Sequence, residues 1–149
     1  MLKLRKNKKG FTLVELIVVI AIMAVLAGTI AGVTVTQLNK QTDNTNKTQA
    51  KAIADFIAGE ILDSTSDIYV SGALNEDKIK EVIKNQYGSV KFTMSENKIA
   101  SAPANKGEFA VKYTAGTGTA TIEILYKQKQ GSNNVVGWIV TDTGVVTEK

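Results

Sequence analysis

Residues 11–39 read FTLVELIVVIAIMAVLAGTIAGVTVTQLN, and the fold class turns on them. One charge, Glu15, interrupts this run, and the next is Lys40. A helix of about 20 mostly apolar residues crosses a bilayer, so the run is long enough to span one. In front of it, residues 1–10 carry Lys3, Arg5, Lys6, Lys8 and Lys9, no acid, and end on Gly10. Basic residues flanking an apolar span stay on the cytoplasmic side. This places the start of the chain inside and everything from about Lys40 onward outside.

The same leader explains the overall charge. The chain is formally +4, with 18 basic and 14 acidic residues, and five of the basic ones lie in the first ten positions. Beyond Gly10, 13 basic residues face 14 acidic ones. A surface so close to neutral, with 6% aromatics, offers neither a track for phosphates nor a platform for stacked bases, which disfavours nucleic-acid binding. With no cysteine, the exported part must hold together by packing alone. The roughly 110 residues after the span suit one compact domain.

Two ordinary readings of the leader fall short. A secretory signal has an apolar stretch of about 7–15 residues before a small-residue cut site; a cut near Ala27 or Gly28 would fit the residue types, but the stretch is too long. A permanent anchor explains the length and the basic flank, but has no use for Glu15. A carboxylate at mid-bilayer costs about 2.5–3.5 kcal/mol, less near the edge, and such acids usually have partners. The run holds no basic residue, so the partner would come from another chain.

Lys9-Gly10-Phe11-Thr12-Leu13-Val14-Glu15, followed by a long apolar helix, resembles the class III leader and N-terminus of type IV pilins and the related pseudopilins. The resemblance covers about the first forty residues. It implies that a membrane-embedded prepilin peptidase cuts between Gly10 and Phe11 and methylates the new Phe11 amine, which then pairs with Glu15 of a neighbouring subunit. It also implies that the apolar helix holds the subunit in the cytoplasmic membrane as a single span and later packs against copies of itself inside an extracellular filament. Implied partners are a homopolymer of the same chain, the peptidase, an assembly platform membrane protein and an assembly ATPase. No cofactor is implied.

Gly28 and Gly32, with Ala24, Ala27 and Ala31 nearby, have the small-xxx-small spacing that lets helix backbones approach, though Gly and Ala are common in membrane helices anyway. Gly32 stands where many relatives kink at a proline. The C-terminal disulfide of many relatives is excluded here, as there is no cysteine. The N-terminal residues do not separate a pilin from a pseudopilin of a type II secretion or DNA-uptake system. Outside the family, the alternative is an anchored binding domain that never polymerises.

The expected division is a leader at 1–10, a transmembrane and filament-core helix at 11–36, and an exported domain at 37–149. Ala50, Ile53, Phe56, Ile57 and Ile61 recur at helical spacing, which predicts one helix from about Phe11 to about Ser66, with the Asn- and Thr-rich stretch 42–48 as its weakest point. Asn75 is a candidate N-cap for a short helix through Gln86, with Ile79, Val82 and Ile83 on one face and Gly88 beyond its end. Strands are predicted at 90–94, 108–114, 119–128 and 135–141, with turns at 116–118 and 131–134. Phe109, Val111 and Tyr113 should share a face with Ile122, Ile124, Tyr126 and with Val136, Trp138, Val140, covering the helix. The fold class is therefore α+β: a long N-terminal helix packed on a small antiparallel sheet.

With no His and no Cys, the usual catalytic dyads and soft-metal sites are out of reach. Asp142 and Glu148 are the only acids after Glu123, too few for a hard-cation site. Asn46-Lys47-Thr48 fits a glycosylation pattern, but a match of three residues carries little weight. A structural role is expected rather than an enzymatic one.

Overall fold

The computed structural model describes residues 10–116, 119–131 and 134–149. The leader residues 1–9 lie outside the described residues, as do 117–118 and 132–133 within the two expected turns. The chain divides into two compact units after Leu38.

The predicted long helix is present as α1, Leu13–Leu62. Up to Leu38 it belongs to the first unit, and every described side chain from Gly10 to Leu38 is exposed. By length and composition it is the one helix among the described residues suited to crossing a membrane. Thr29, Thr34 and Thr36 turn their hydroxyls back onto the carbonyls of Leu26, Ile30 and Gly32 at 3.0, 2.8 and 3.3 Å. Such local bonds satisfy a hydroxyl without an outside partner, which fits these residues to an apolar run.

The stretch 42–48 does not break the helix. The hydroxyls of Thr45 and Thr48 bond to the carbonyls of Gln41 and Asn44 at 2.9 and 3.1 Å. The helix stops four residues short of the predicted end, because the Asp63 carboxylate accepts from the Thr65 backbone N–H at 2.9 Å and from its hydroxyl at 2.6 Å. This Asx-type turn competes with continuing the helix.

In the second unit, Asn39–Lys149, the chain runs through β1 (Tyr69–Val70), β2 (Ala73–Leu74), α2 (Glu76–Gln86), β3 (Met94–Ser95), β4 (Lys98–Ile99), β5 (Phe109–Thr114), β6 (Thr121–Lys127), β7 (Val135–Thr141) and β8 (Val146–Glu148). The last four form an antiparallel meander in sequence order. Phe109 pairs with Tyr126, Val111 with Ile124, and Ile124 with Trp138, so the three predicted apolar faces become one. That face meets the α1 stripe of Ala50, Ile53, Ala54, Ile57, Ala58 and Ile61 in a single core, joined by Ile79 and Ile83 of α2. α2 begins where expected, with the Asn75 side chain accepting from the Lys78 N–H at 3.1 Å.

The predicted strand at 90–94 is corrected. Only Phe92 bridges there, in parallel to Phe109, and β3 begins at Met94. The backbone of Lys91 and Thr93 is bonded to Phe109 at 2.9 and 2.8 Å, so the segment covers the edge of β5 instead of forming a ladder rung of its own. The two small hairpins, β1–β2 and β3–β4, were not expected. Both turn on paired positive φ values, Ser71 and Gly72 in one and Glu96 and Asn97 in the other. A two-residue hairpin turn requires these angles, but Glu96 does not advertise them. β8, at three residues, is too short to show an alternating pattern in the sequence.

Gly137 is the one glycine fixed by close approach in the sheet: a Cβ there would lie 2.1 Å from the Ile124 carbonyl oxygen.

Candidate processing and assembly site

Residues 10–12 precede the first helical residue and carry no regular structure. Gly10 is exposed and Phe11 is 89% exposed. The predicted cut position thus lies on open, non-helical backbone, the form in which a peptide bond reaches a protease.

The helix then starts through a reciprocal cap. The Thr12 backbone N–H and hydroxyl each donate to Glu15 Oε2 at 2.8 Å, and the Glu15 N–H donates to the Thr12 hydroxyl at 3.3 Å. Leu16 N–H closes the first turn onto the Thr12 carbonyl at 3.3 Å. This is a capping box, in which Thr and a Glu three residues on satisfy backbone donors that no earlier turn can reach. Sequence reasoning treated Glu15 as an acid in need of a partner from another chain and missed Thr12; the Thr-x-x-Glu spacing was the available signal. Both Thr12 donors fall on Oε2, so this one carboxylate oxygen builds the helix start.

Gly28 and Gly32 have open space where a Cβ would stand. The helix runs through Gly32 without a break. Among the described residues nothing packs against these glycines.

The second unit contributes a different kind of anchoring. Asp43, on α1, is 9% exposed. Its carboxylate accepts from the Tyr126 hydroxyl and from the backbone N–H groups of Lys129 and Gln130 at 2.8 and 2.9 Å, which fastens the β6–β7 turn to the helix. Glu108 is also buried; it accepts from the Thr93 hydroxyl at 2.8 Å and from Asn105, with Lys91 Nζ at 3.2 Å. Above all the Thr93 bond, opposed by desolvation, holds the Glu108 carboxyl at about 2, well under its ordinary 4.5. Both acids are spent on structure. Asn46 of the glycosylation pattern is 9% exposed, a poor acceptor for a bulky surface modification.

Residues 5–31 match the family model described as the prokaryotic N-terminal methylation motif, the class III leader of type IV pilins. The match takes in Gly10, Phe11, Thr12, Glu15 and Gly28. No curated protein matches the chain, and no solved structure does.

Proposed function

We propose that this chain is a prepilin whose mature form is a structural subunit of a type IV pilus, polymerised from the cytoplasmic membrane into a surface filament for adhesion, motility or aggregation. The match of residues 5–31 to the N-terminal methylation motif carries the reading. Prepilin peptidase cuts between Gly10 and Phe11 and methylates the Phe11 amine. The helix up to about Leu38 holds the subunit in the membrane with its N-terminus inside. It becomes filament core when copies pack together, Gly28 and Gly32 allowing close approach.

Glu15 serves twice in this scheme. Oε2 holds the helix start through Thr12, and Oε1 accepts the methylated Phe11 amine of the next subunit. In a low-dielectric core such a pair adds little net stability but fixes axial register. The assembly platform protein and ATPase drive insertion, and residues 37–149 form the exported domain. The role is structural, not enzymatic.

Mass spectrometry of protein sheared from the cell surface and of the membrane pool tests the reading. A surface species beginning at N-methylated Phe11 is expected. A Met1 start in both pools would reduce the chain to an anchored domain, and a start near Gly28 to a secreted one. Loss of secretion or DNA uptake on deletion, without loss of visible fibres, would reassign the subunit to a pseudopilin role.

A further inference from the structure

We infer that the exported unit makes a head-to-tail contact with a second copy of this chain through opposite charges at its two ends; the inference rests on the polymeric reading above. Thirteen lysines lie in residues 11–149, and eight of them have a carboxylate within 3.7 Å. The other five, among the described residues, are Lys40, Lys84, Lys106, Lys127 and Lys129. Four of these, all but Lys84, gather at the end of the unit where α1 comes in.

Their proximity follows from specific contacts. Lys40 and Asp43 line a shallow pocket with Gln128, Gln130 and Gly131. Lys106 Nζ donates to the Gly131 carbonyl at 3.0 Å, and Lys127 Nζ to the Ala104 carbonyl at 2.9 Å. The Lys129 stem lies over Gly107, where a Cβ would come within 2.9 Å of its Cε. Among the nearby acids, Glu108 is paired with Lys91, and Asp43, hydrogen-bonded to Tyr126 and the turn, sets a single negative charge against the four lysines.

The far end carries the complement. Besides Asp43, and Glu96 on the β3–β4 turn, the exported unit's carboxylates with no lysine within ion-pair distance among the described residues are Glu60, Asp63, Asp67 and Asp142. Glu60 and Asp63 sit at the last turn of α1 and just beyond it, with Asp67 four residues on. The β7–β8 turn that bears Asp142 lies against the same turn, because a Cβ on Gly144 would meet the Leu62 side chain at 3.2 Å and the Ala58 carbonyl at 3.3 Å. From Lys40 to Asp63 the helix path is about 35 Å at 1.5 Å per residue. That is several Debye lengths in physiological salt, about 8 Å each, so the two ends do not neutralise each other within one subunit. Because base and top are different surfaces, the contact is heterologous, and a heterologous contact that does not close on itself propagates into an open polymer.

The test reverses each end in the full-length chain in cells: Lys40, Lys106 and Lys129 to Glu, or Glu60, Asp63 and Asp67 to Lys. Sheared polymer should fall at least tenfold for either set, while the membrane pool still begins at Phe11. Cells making both sets together should regain polymer, because a subunit acidic at both ends alternates with one basic at both ends, an outcome that misfolding cannot produce. Unmodified sheared filaments should also dissociate at lower temperature in 1 M salt than in 50 mM salt, a readout that needs no variant.

Polymer unaffected by either reversal, no recovery on co-expression, or salt-independent filaments would overturn the inference. Sensitivity to the basic-end set alone would overturn it too, pointing to anionic lipid headgroups beside Lys40 as the partner. Failure of Phe11 processing in the unmodified chain would instead sink the prepilin reading.

Discussion

One helix does two opposite things. Between Leu13 and Leu38, α1 leaves Leu16, Ile20, Val25, Leu26 and Ile30 at least half exposed, whereas between Ala50 and Ile61 six apolar side chains on one stripe are no more than 7% exposed. The helix turn is the same in both. What differs is the spacing of apolar residues: around the whole circumference in the first part, on a single stripe with Lys47, Lys51 and Asp55 off it in the second. A stripe is answered by this chain's own sheet. A helix apolar all round is answered by lipid or by other copies, so the first part has its energetics outside the molecule.

The contrast breaks most clearly by truncation. Ile57→Ala should cost the exported unit about 2–5 kcal/mol, the range for a large-to-small change in a packed core, seen as a lower unfolding midpoint of the full-length protein in detergent. Leu26→Ala should leave that midpoint unchanged and lower only the yield of polymer. Equal destabilisation by both would mean that the two parts of α1 are not energetically separate.

Asp43 marks where the chain's own packing takes over. Asp43→Ala strands the buried Tyr126 hydroxyl, an unsatisfied buried group costing about 1–3 kcal/mol, and leaves the part-buried N–H groups of Lys129 and Gln130 to water. Asp43→Asn keeps an acceptor and should lose markedly less in the same unfolding experiment. If Ala and Asn behave alike, the bonds to Tyr126, Lys129 and Gln130 do not hold the turn.

Legibility in the sequence follows the same divide. The α1 stripe, the Asn75 cap and the three alternating strand faces were readable because each is a local pattern with a fixed period or offset. Asp43 was not, since its partners lie 83 to 87 positions away and a lone Asp in a polar stretch gives no sign of burial. The Glu96-Asn97 turn was hidden by a residue that rarely takes positive φ. At the N-terminus the Thr12–Glu15 cap is as local a pattern as the motif that contains it, an offset of three residues. The ends of opposite charge could not be read at all, because they emerge only after folding shows which lysines have found carboxylates.

A smaller effect separates the second unit's buried acid from its surface ion pairs. With the Glu108 carboxyl lowered from 4.5 to about 2, its stabilisation is complete above about pH 4.5 and is lost as pH falls from there toward 2. The urea midpoint of the full-length protein should drop across that window. In Glu108→Gln the midpoint should start lower at neutral pH and fall less, so that the two curves converge near pH 2. Exposed pairs such as Lys98–Asp77, at 2.7 Å with both side chains more than half exposed, contribute little, and breaking that one should leave the curve's shape intact. Parallel curves for Glu108→Gln and the parent would locate the acid sensitivity elsewhere.

The smallest effect tests the join between Thr12 and Glu15. Thr12→Val keeps the shape of the side chain and removes the hydroxyl, while Thr12→Ser keeps the hydroxyl. Loss of a cap side chain costs about 1 kcal/mol, too little to unfold a helix held by lipid, so bulk helicity should not change. The first turn should fray, measured as faster amide exchange at Leu13 to Leu16 in micelles for Val but not for Ser. A frayed turn no longer holds the Glu15 carboxylate in place, and polymer yield should therefore fall modestly in Thr12→Val with Phe11 processing intact. If Val frays the turn and polymer yield is unchanged, Glu15 acts in assembly without needing its place in the cap.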